Sequence, residues 1–485
     1  MNAPPQKNPT GPSAWTRTLD PKLGLWNKVG DPTGKPFDTP PEQTFEIRKQ
    51  TDFLLAAAEA GVLPELPFRR TLESLRDAQG DETERAGGHR WYLHDAKPTD
   101  GNCAFFTTLP LLILRLDHAD LLGAEEQAIC DCLLQNSRMW FAHKAEQRNF
   151  RYPNAYIGDV VCHFIIEWHL GASLETALQL LEESAAYYKN EAWGWGEHMS
   201  NVYSGVCQYA IGTLLFLKTA LPETLREQWT DLIRELVAID RLYLGGPRVP
   251  VIRTYAVDRR PLPLEMLCLM EDAEPVSDFP AQDYPCGVKA FLHRKGFQAT
   301  FAEVPAAKPP LPCFGRASAY AKVYDSWRMG VLSRHPIMEG LDDQTTWGLA
   351  WQTMPFAFWS KTGDWGFLQW EARDPGGATG HPALSHWGKV KSLGTRPPFG
   401  KGETFGLPWE NGYLILRRLA EIPAAWTAAF DRFRLLPAEG TDIRDNADGK
   451  SFELRLSAAK TTLLPLISKK PRNCIDTASG AGMNP

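Results

Sequence analysis

The spacing of apolar residues changes once along this chain, and that change limits the possible folds more than any other feature. From about Gln43 the spacing is helical: Phe45, Ile47, Phe53, Leu54 and Ala57 recur three and four residues apart until Gly61 stops the run. Further helices are predicted over 104–122, 124–145, 155–170, 174–189, 201–220 and 223–243, joined by short connections that make neighbours into hairpins. From about Trp327 apolar and polar residues alternate instead, over 364–373, 412–419, 425–435 and 451–456. Helices first and strands afterwards predict an α+β multidomain chain, with an N-terminal α/α toroid of helical hairpins followed by a C-terminal antiparallel β-sandwich. The expected divisions are an extended arm (1–42), pinned by Trp15, Leu25 and Trp26, then the toroid (43–245), an inter-domain connection (246–326), the sandwich (327–467) and a loose tail (468–485).

Charge and composition remove several classes of function. A formal charge of -6 over 485 residues leaves no overall positive field to collect a nucleic-acid backbone, so no nucleic-acid partner is expected. The longest apolar runs, such as Leu109 to Leu114, fall far short of the roughly 20 residues that cross a bilayer, so no membrane is expected either. The polar N-terminus lacks the apolar core of a secretory signal, and the nine cysteines show no paired zinc-type spacing. Reduced thiols and a cytoplasmic location are the expectation. No Gly-rich phosphate loop opens a helix, so no nucleotide cofactor is expected, and the single His with two carboxylates at Asp159, His163 and Glu167 is not a specific ligand pattern, so no metal is expected either. The oligomeric state cannot be read from the sequence.

Chemistry-bearing residues collect in four places. Trp193-Gly-Trp195-Gly-Glu-His198-Met-Ser-Asn201-Val-Tyr203 runs into a helix on which Asn201, Gly205, Gln208 and Gly212 form a stripe of small and polar residues, expected to line a cavity. His198 precedes that stripe; capping the helix is its structural alternative. A second stripe, Tyr156, Asp159, His163 and Glu167, reads either as a histidine held between carboxylates or as a solvated face. Arg248, Arg253, Arg259 and Arg260, with Tyr255 among them, make a candidate carboxylate clamp or a set of inter-domain salt bridges. Trp347, Trp351, Trp359, Trp365, Trp370 and Trp387 lie near His335, His381 and His386 in the β region, where indole faces suit the apolar faces of sugar rings as well as ordinary packing.

Taken in order, the helical hairpins, the Trp193–Tyr203 segment, the arginine cluster and the β region resemble polysaccharide lyases of the heparinase II/III, alginate lyase and chondroitin AC lyase type, over roughly Gln43 to Leu456. The resemblance implies cleavage of a uronic-acid-containing saccharide by β-elimination, without a cofactor. In such lyases an Asn or His, sometimes helped by Arg, neutralises the uronate carboxylate, and a Tyr, often with a His, moves the protons. By type and order, the resemblance gives these roles to Asn201 or Asn154, to His198 and Tyr203, and to an arginine such as Arg248 or Arg253. His335 is the nearest counterpart of a β-domain histidine, and Tyr255, Trp193 and Trp195 are expected to bind substrate. The alternatives are a glycoside hydrolase using Asp159 and Glu197 as acid and base, a small-molecule dehydratase or isomerase, and a carbohydrate-binding protein without catalysis.

Overall fold

The computed structural model describes residues 19–26, 45–80, 86–98, 101–191, 193, 199–243, 248–250, 287–313, 317–324 and 327–334, together with strands between 356 and 484; residues 201, 202 and 327 and these later strands are described by their backbone. The chain divides into two compact units. One comprises Met1–Lys189, Tyr203–Val237 and Leu264–Pro305; the other comprises Asn190–Val202, Ala238–Pro263 and Ala306–Pro485.

The first unit is helical. Helix α1 (Ile47–Glu59) stops where expected, with Gly61 at a φ of 73° that favours glycine. Helix α2 (Phe68–Ala78) lies outside the expected helices: its apolar side is only Leu72, Leu75 and Ala78, a stripe too thin to stand out in the sequence. Helix α3 (Asn102–Asp117) is apolar on almost every side and lies in the core, while α4 (Ala124–Glu146) buries one stripe. Glu125 and Glu126 in the first turn of α4, and His143 and Lys144 in its last, suit the helix dipole. Helix α5 (Pro153–His169) begins on a proline, whose missing N–H costs nothing in a first turn, and α6 (Glu175–Asn190), α7 (Asn201–Phe216) and α8 (Glu223–Leu242) follow near their expected positions.

Two long-range connections complete this unit. Residues 19–26 of the N-terminal arm lie on α1 and α2. Trp26 N–H donates to Gln50 Oε1 (2.8 Å), Gln50 Nε2 donates back to the Trp26 carbonyl (3.0 Å), and Thr71 and Ser74 hydroxyls hold the carbonyls of Gly24 and Leu23. Leu25 and Trp26 are buried there as expected, whereas Trp15 lies outside the described residues. From within the expected inter-domain connection, α9 (Gly287–Arg294) and α10 (Phe297–Thr300) pack into the helical unit. Asp52 Oδ1 caps α9 by accepting from the Gly287 and Val288 N–H groups, each at 3.0 Å. At its other end Arg294 grips Glu59 (2.6 and 2.7 Å) and Asp117 (2.5 Å), and Lys295 also reaches Asp117.

The second unit carries antiparallel sheets. In the first, β1 (Leu311–Cys313), β2 (Ala317–Val323), β3 (Trp327–Leu332), β4 (Phe356–Ser360) and β5 (Trp365–Leu368) are neighbours in chain order. The second contains β6 (Gly402–Trp409), β7 (Gly412–Leu419), β8 (Asp442–Asp445), β9 (Phe452–Leu456), β10 (Ala459–Leu466) and β11 (Ile475–Asn484), in the order β6-β7-β11-β10-β9-β8. β11 falls in the segment expected to be a loose tail: its weak alternation hides a strand that pairs with both β7 and β10. The expected strand over 425–435 lies outside the described residues. Among the described residues, no helix is long and apolar enough to cross a membrane.

Candidate functional site

In the helical unit, α4 and α5 run antiparallel, and the polar stripe of α5 is turned inward against α4. Glu167 accepts both arms of Arg138, each at 2.8 Å, and His163 Nδ1 lies 3.7 Å from the same carboxylate. Burial holds the His163 imidazole below its ordinary value, against the pull of Glu167 and Glu146. Tyr156 donates its hydroxyl to the Ala145 carbonyl (2.9 Å). Asp159 keeps some exposed area, but protein surrounds its carboxyl; this burial pushes its pKa up to about 8, with Lys144 offsetting only part. The stripe is therefore largely an interior face rather than a solvated one, and burial shifts its aspartate towards the neutral form.

The turn between α4 and α5 forms an open depression of about 410 Å³, lined by Gln147, Arg148, Asn149, Phe150, Arg151 and Tyr187. Phe150 stacks on Tyr187 from α6 with centroids 4.8 Å apart and planes inclined by 19°, and meets Tyr156 edge-on. Arg148 adopts a φ of 49°, sparsely populated for a side-chain-bearing residue, and is anchored to Glu183 at 2.7 and 3.4 Å. The depression thus combines an aromatic platform, two guanidinium groups and two carboxamides. Its signal in the sequence is faint, an aromatic flanked by arginines, Arg148-Asn-Phe-Arg151, in an inter-helix connection.

In the second unit, the residues around Ser200 are tied to those after α8. Arg248 is completely buried; its Nη2 is paired with Asp240 near the end of α8, and its Nη1 donates to the Ser200 carbonyl (3.4 Å). Tyr243 OH donates to the Val249 carbonyl (2.8 Å), and Arg328 of β3 donates to the Tyr243 carbonyl (3.0 Å). Gly330 of β3 leaves no room for a Cβ against the Val249–Pro250 backbone.

These contacts bear on three expectations. Arg248 does not offer its guanidinium to a substrate carboxylate, because a buried arginine needs an internal counter-charge and Asp240 supplies it. Trp193 is 2% exposed, at a φ of 65°, and supports its turn rather than presenting a stacking face. In the small-residue stripe of α7, Gly205 and Gln208 are buried, and Leu292 of α9 lies against Gly212, where a missing side chain lets two helices approach closely.

Tyr203 is half-buried in the first turn of α7, and the backbone of Asn201 opens that helix. Asn154 sits in the first turn of α5, 4% exposed, with a buried Oδ1 that has no hydrogen-bond partner. His198, Trp195, Arg253, Tyr255 and His335 lie outside the described residues. Glu59, Asp117 and His118 bring three possible metal-ligand atoms within 4.8 Å of one another, but Arg294 and Lys295 already neutralise the two carboxylates.

No family model matches this chain. No curated protein matches it. Among solved structures, it is similar to a crystal structure of heparinase III at a TM-score of 0.47 and 12% sequence identity, over 91% of this chain and 73% of that one.

Proposed function

We propose that this protein is a carbohydrate-active lyase that cleaves a uronic-acid-containing saccharide by β-elimination. The observation that carries this reading is the depression at the α4–α5 turn, where the Phe150–Tyr187 stack lies beside Arg151 and the Glu183-bound Arg148. Pyranose rings present apolar C–H faces to such platforms, and guanidinium forks suit carboxylates.

For the reaction, the base removes the C5 proton of the uronate, the C4–O bond breaks as a C4–C5 double bond forms, and the departing oxygen takes up a proton. In this reading His198 is the base, Tyr203 protonates the leaving oxygen, and Asn201 neutralises the carboxylate whose charge grows on deprotonation. His335 assists, while Arg253, Tyr255, Trp195 and Asn154 bind substrate. A toroid and a sandwich are the arrangements this reading expects of the helical unit and the sheets.

The test is a panel of uronic-acid oligosaccharides and neutral glycosides, followed for new near-ultraviolet absorbance and for reducing ends. Absorbance growing in step with new ends supports the lyase; new ends without absorbance establish a glycoside hydrolase. The raised pKa of Asp159 favours that second reading, since a hydrolase needs one carboxyl group kept as an acid at neutral pH.

A further inference from the structure

One carboxylate outside the lining of the α4–α5 depression sets the charge a ligand meets there. The charged residues of the lining, Arg148 and Arg151, are both cations. Two side chains of the turn reach α6 one helical turn apart: Phe150 stacks on Tyr187, and Arg148 bonds to Glu183. Arg148 Nε donates to Glu183 Oε2 at 2.7 Å, Nη2 to Oε1 at 3.4 Å, and Nη1 to the Glu146 carbonyl at 3.3 Å. Every nitrogen of the guanidinium therefore donates within the protein. Gln179 Nε2 also donates to Glu183 Oε1 (2.9 Å), so the carboxylate is held from its own helix as well. The bond to Arg148 outweighs partial burial and keeps the Glu183 carboxyl below the ordinary range, so it is ionised at neutral pH.

The backbone commits Arg148 to that partner. At a φ of 49° it lies in the left-handed region, which a residue with a side chain occupies at a cost of about 1–3 kcal/mol and keeps only where its surroundings hold it. Its N–H donates to the Ala145 carbonyl (3.2 Å), and its carbonyl accepts from the Phe150 N–H (2.8 Å). The ion pair thus ties to α6 the same segment that carries the aromatic contact, and handing Arg148 to another anion would loosen both. Arg148, Arg151 and Glu183 together carry a single net positive charge. A ligand with one anionic group matches that charge. A second anionic group would have to compete with Glu183 for Arg148 while lying close to the Glu183 carboxylate, and like charges brought together in this way are strongly disfavoured.

We propose that Glu183 is a specificity-determining residue that restricts the depression to sugar acids with one anionic group on the bound ring. By holding Arg148 it withdraws the second cation that a ring bearing both a carboxylate and a phosphate or sulfate ester would need, and its own charge repels such an ester. Taking a sugar acid as the ligand rests on the proposed function; the charge selection follows from the ion pair and needs no catalytic step.

The test is calorimetric titration of the full chain with glucuronate and with glucuronic acid 1-phosphate. The parent should bind glucuronate more tightly by about tenfold or more, and Glu183→Gln, which keeps the size of the side chain but not its charge, should shrink that ratio by about tenfold through tighter binding of the phosphate ester. Adding Arg148→Met to Glu183→Gln should return the ester to weak binding, because the gain runs through the released guanidinium. The melting temperature of Glu183→Gln should stay close to the parent's, since an exposed ion pair contributes little to stability. A parent that binds the ester as tightly as glucuronate, a parent that binds neither, a ratio unmoved by Glu183→Gln, or a gain that survives the loss of Arg148 would overturn the proposal. A chain that passes these titrations but yields no ultraviolet chromophore from any saccharide keeps the charge selection and loses the lyase reading; a chromophore with a ratio unmoved by Glu183→Gln keeps the lyase reading and loses the selection.

Discussion

His89 and Arg248 show how buried polar side chains divide into those the fold satisfies and those it merely encloses. His89 is fully buried with no partner for either ring nitrogen, and burial lowers its pKa to about 4. Between pH 6.5 and 4 the unfolded chain therefore takes up a proton that the folded chain refuses, so stability falls as pH drops through that window, by up to about 3 kcal/mol. His89→Leu should flatten this part of the stability curve in urea titrations at pH 7, 5.5 and 4.5; identical slopes in parent and variant would remove His89 as the cause. Arg248 is the opposite case, since its charge is matched by Asp240. Arg248→Ala removes the guanidinium that pairs with the buried Asp240 and should cost about 3–5 kcal/mol, whereas Arg248→Met with Asp240→Leu should recover much of that. A double variant no more stable than Arg248→Ala would show that the pair does not act as a unit.

At the level of elements, α9 depends on a residue far away in the chain. Asp52 supplies the acceptor for the first two N–H groups of α9, a task usually given to a residue next to the helix. Asp52→Ala should lower stability by about 1–3 kcal/mol and speed hydrogen exchange at Gly287 and Val288, with Asn in its place restoring part of the protection. Unchanged exchange at both amides would mean that α9 is held by its side-chain packing alone. The same distance explains why the sequence assigned 246–326 to a connection: eight residues with a modest apolar stripe look like a linker until Asp52, Glu59 and Asp117 are brought beside them. The strand β11 was hidden for a similar reason, because its alternation is weak and its pairing partners, β7 and β10, define it.

At the scale of the whole molecule, the proposed chemistry and the packing make separable demands. If His198 and Tyr203 transfer protons, His198→Ala and Tyr203→Phe should each lower turnover by about 10² to 10⁴ with melting temperatures near that of the parent, because such groups serve the transition state more than the fold. Asn201→Ala should also lower turnover by leaving the carboxylate un-neutralised. Parental rates in all three variants would move the reaction away from this segment, with the Asp159, His163 and Glu167 stripe the next to test, and activity losses that merely track melting temperature would make the segment structural.

The sequence by itself determined the order of structure along the chain: helices first, antiparallel strands afterwards, Gly61 as a stop, Leu25 and Trp26 as anchors of the arm, and helix boundaries within a few residues from α3 to α8. These follow from apolar spacing and local backbone preference, which neighbouring residues set. What each polar face meets was decided only in three dimensions. Gly205, Gln208 and Gly212 have the spacing of a cavity lining, but Leu292, eighty residues beyond Gly212, packs against that glycine; Tyr156, His163 and Glu167 have the spacing of a solvated face, but all three are buried, and Tyr156 and Glu167 bond to α4. Whether a stripe faces water, ligand or another helix depends on which distant segment packs on it, and the energy of that packing belongs to the pair rather than to either sequence alone.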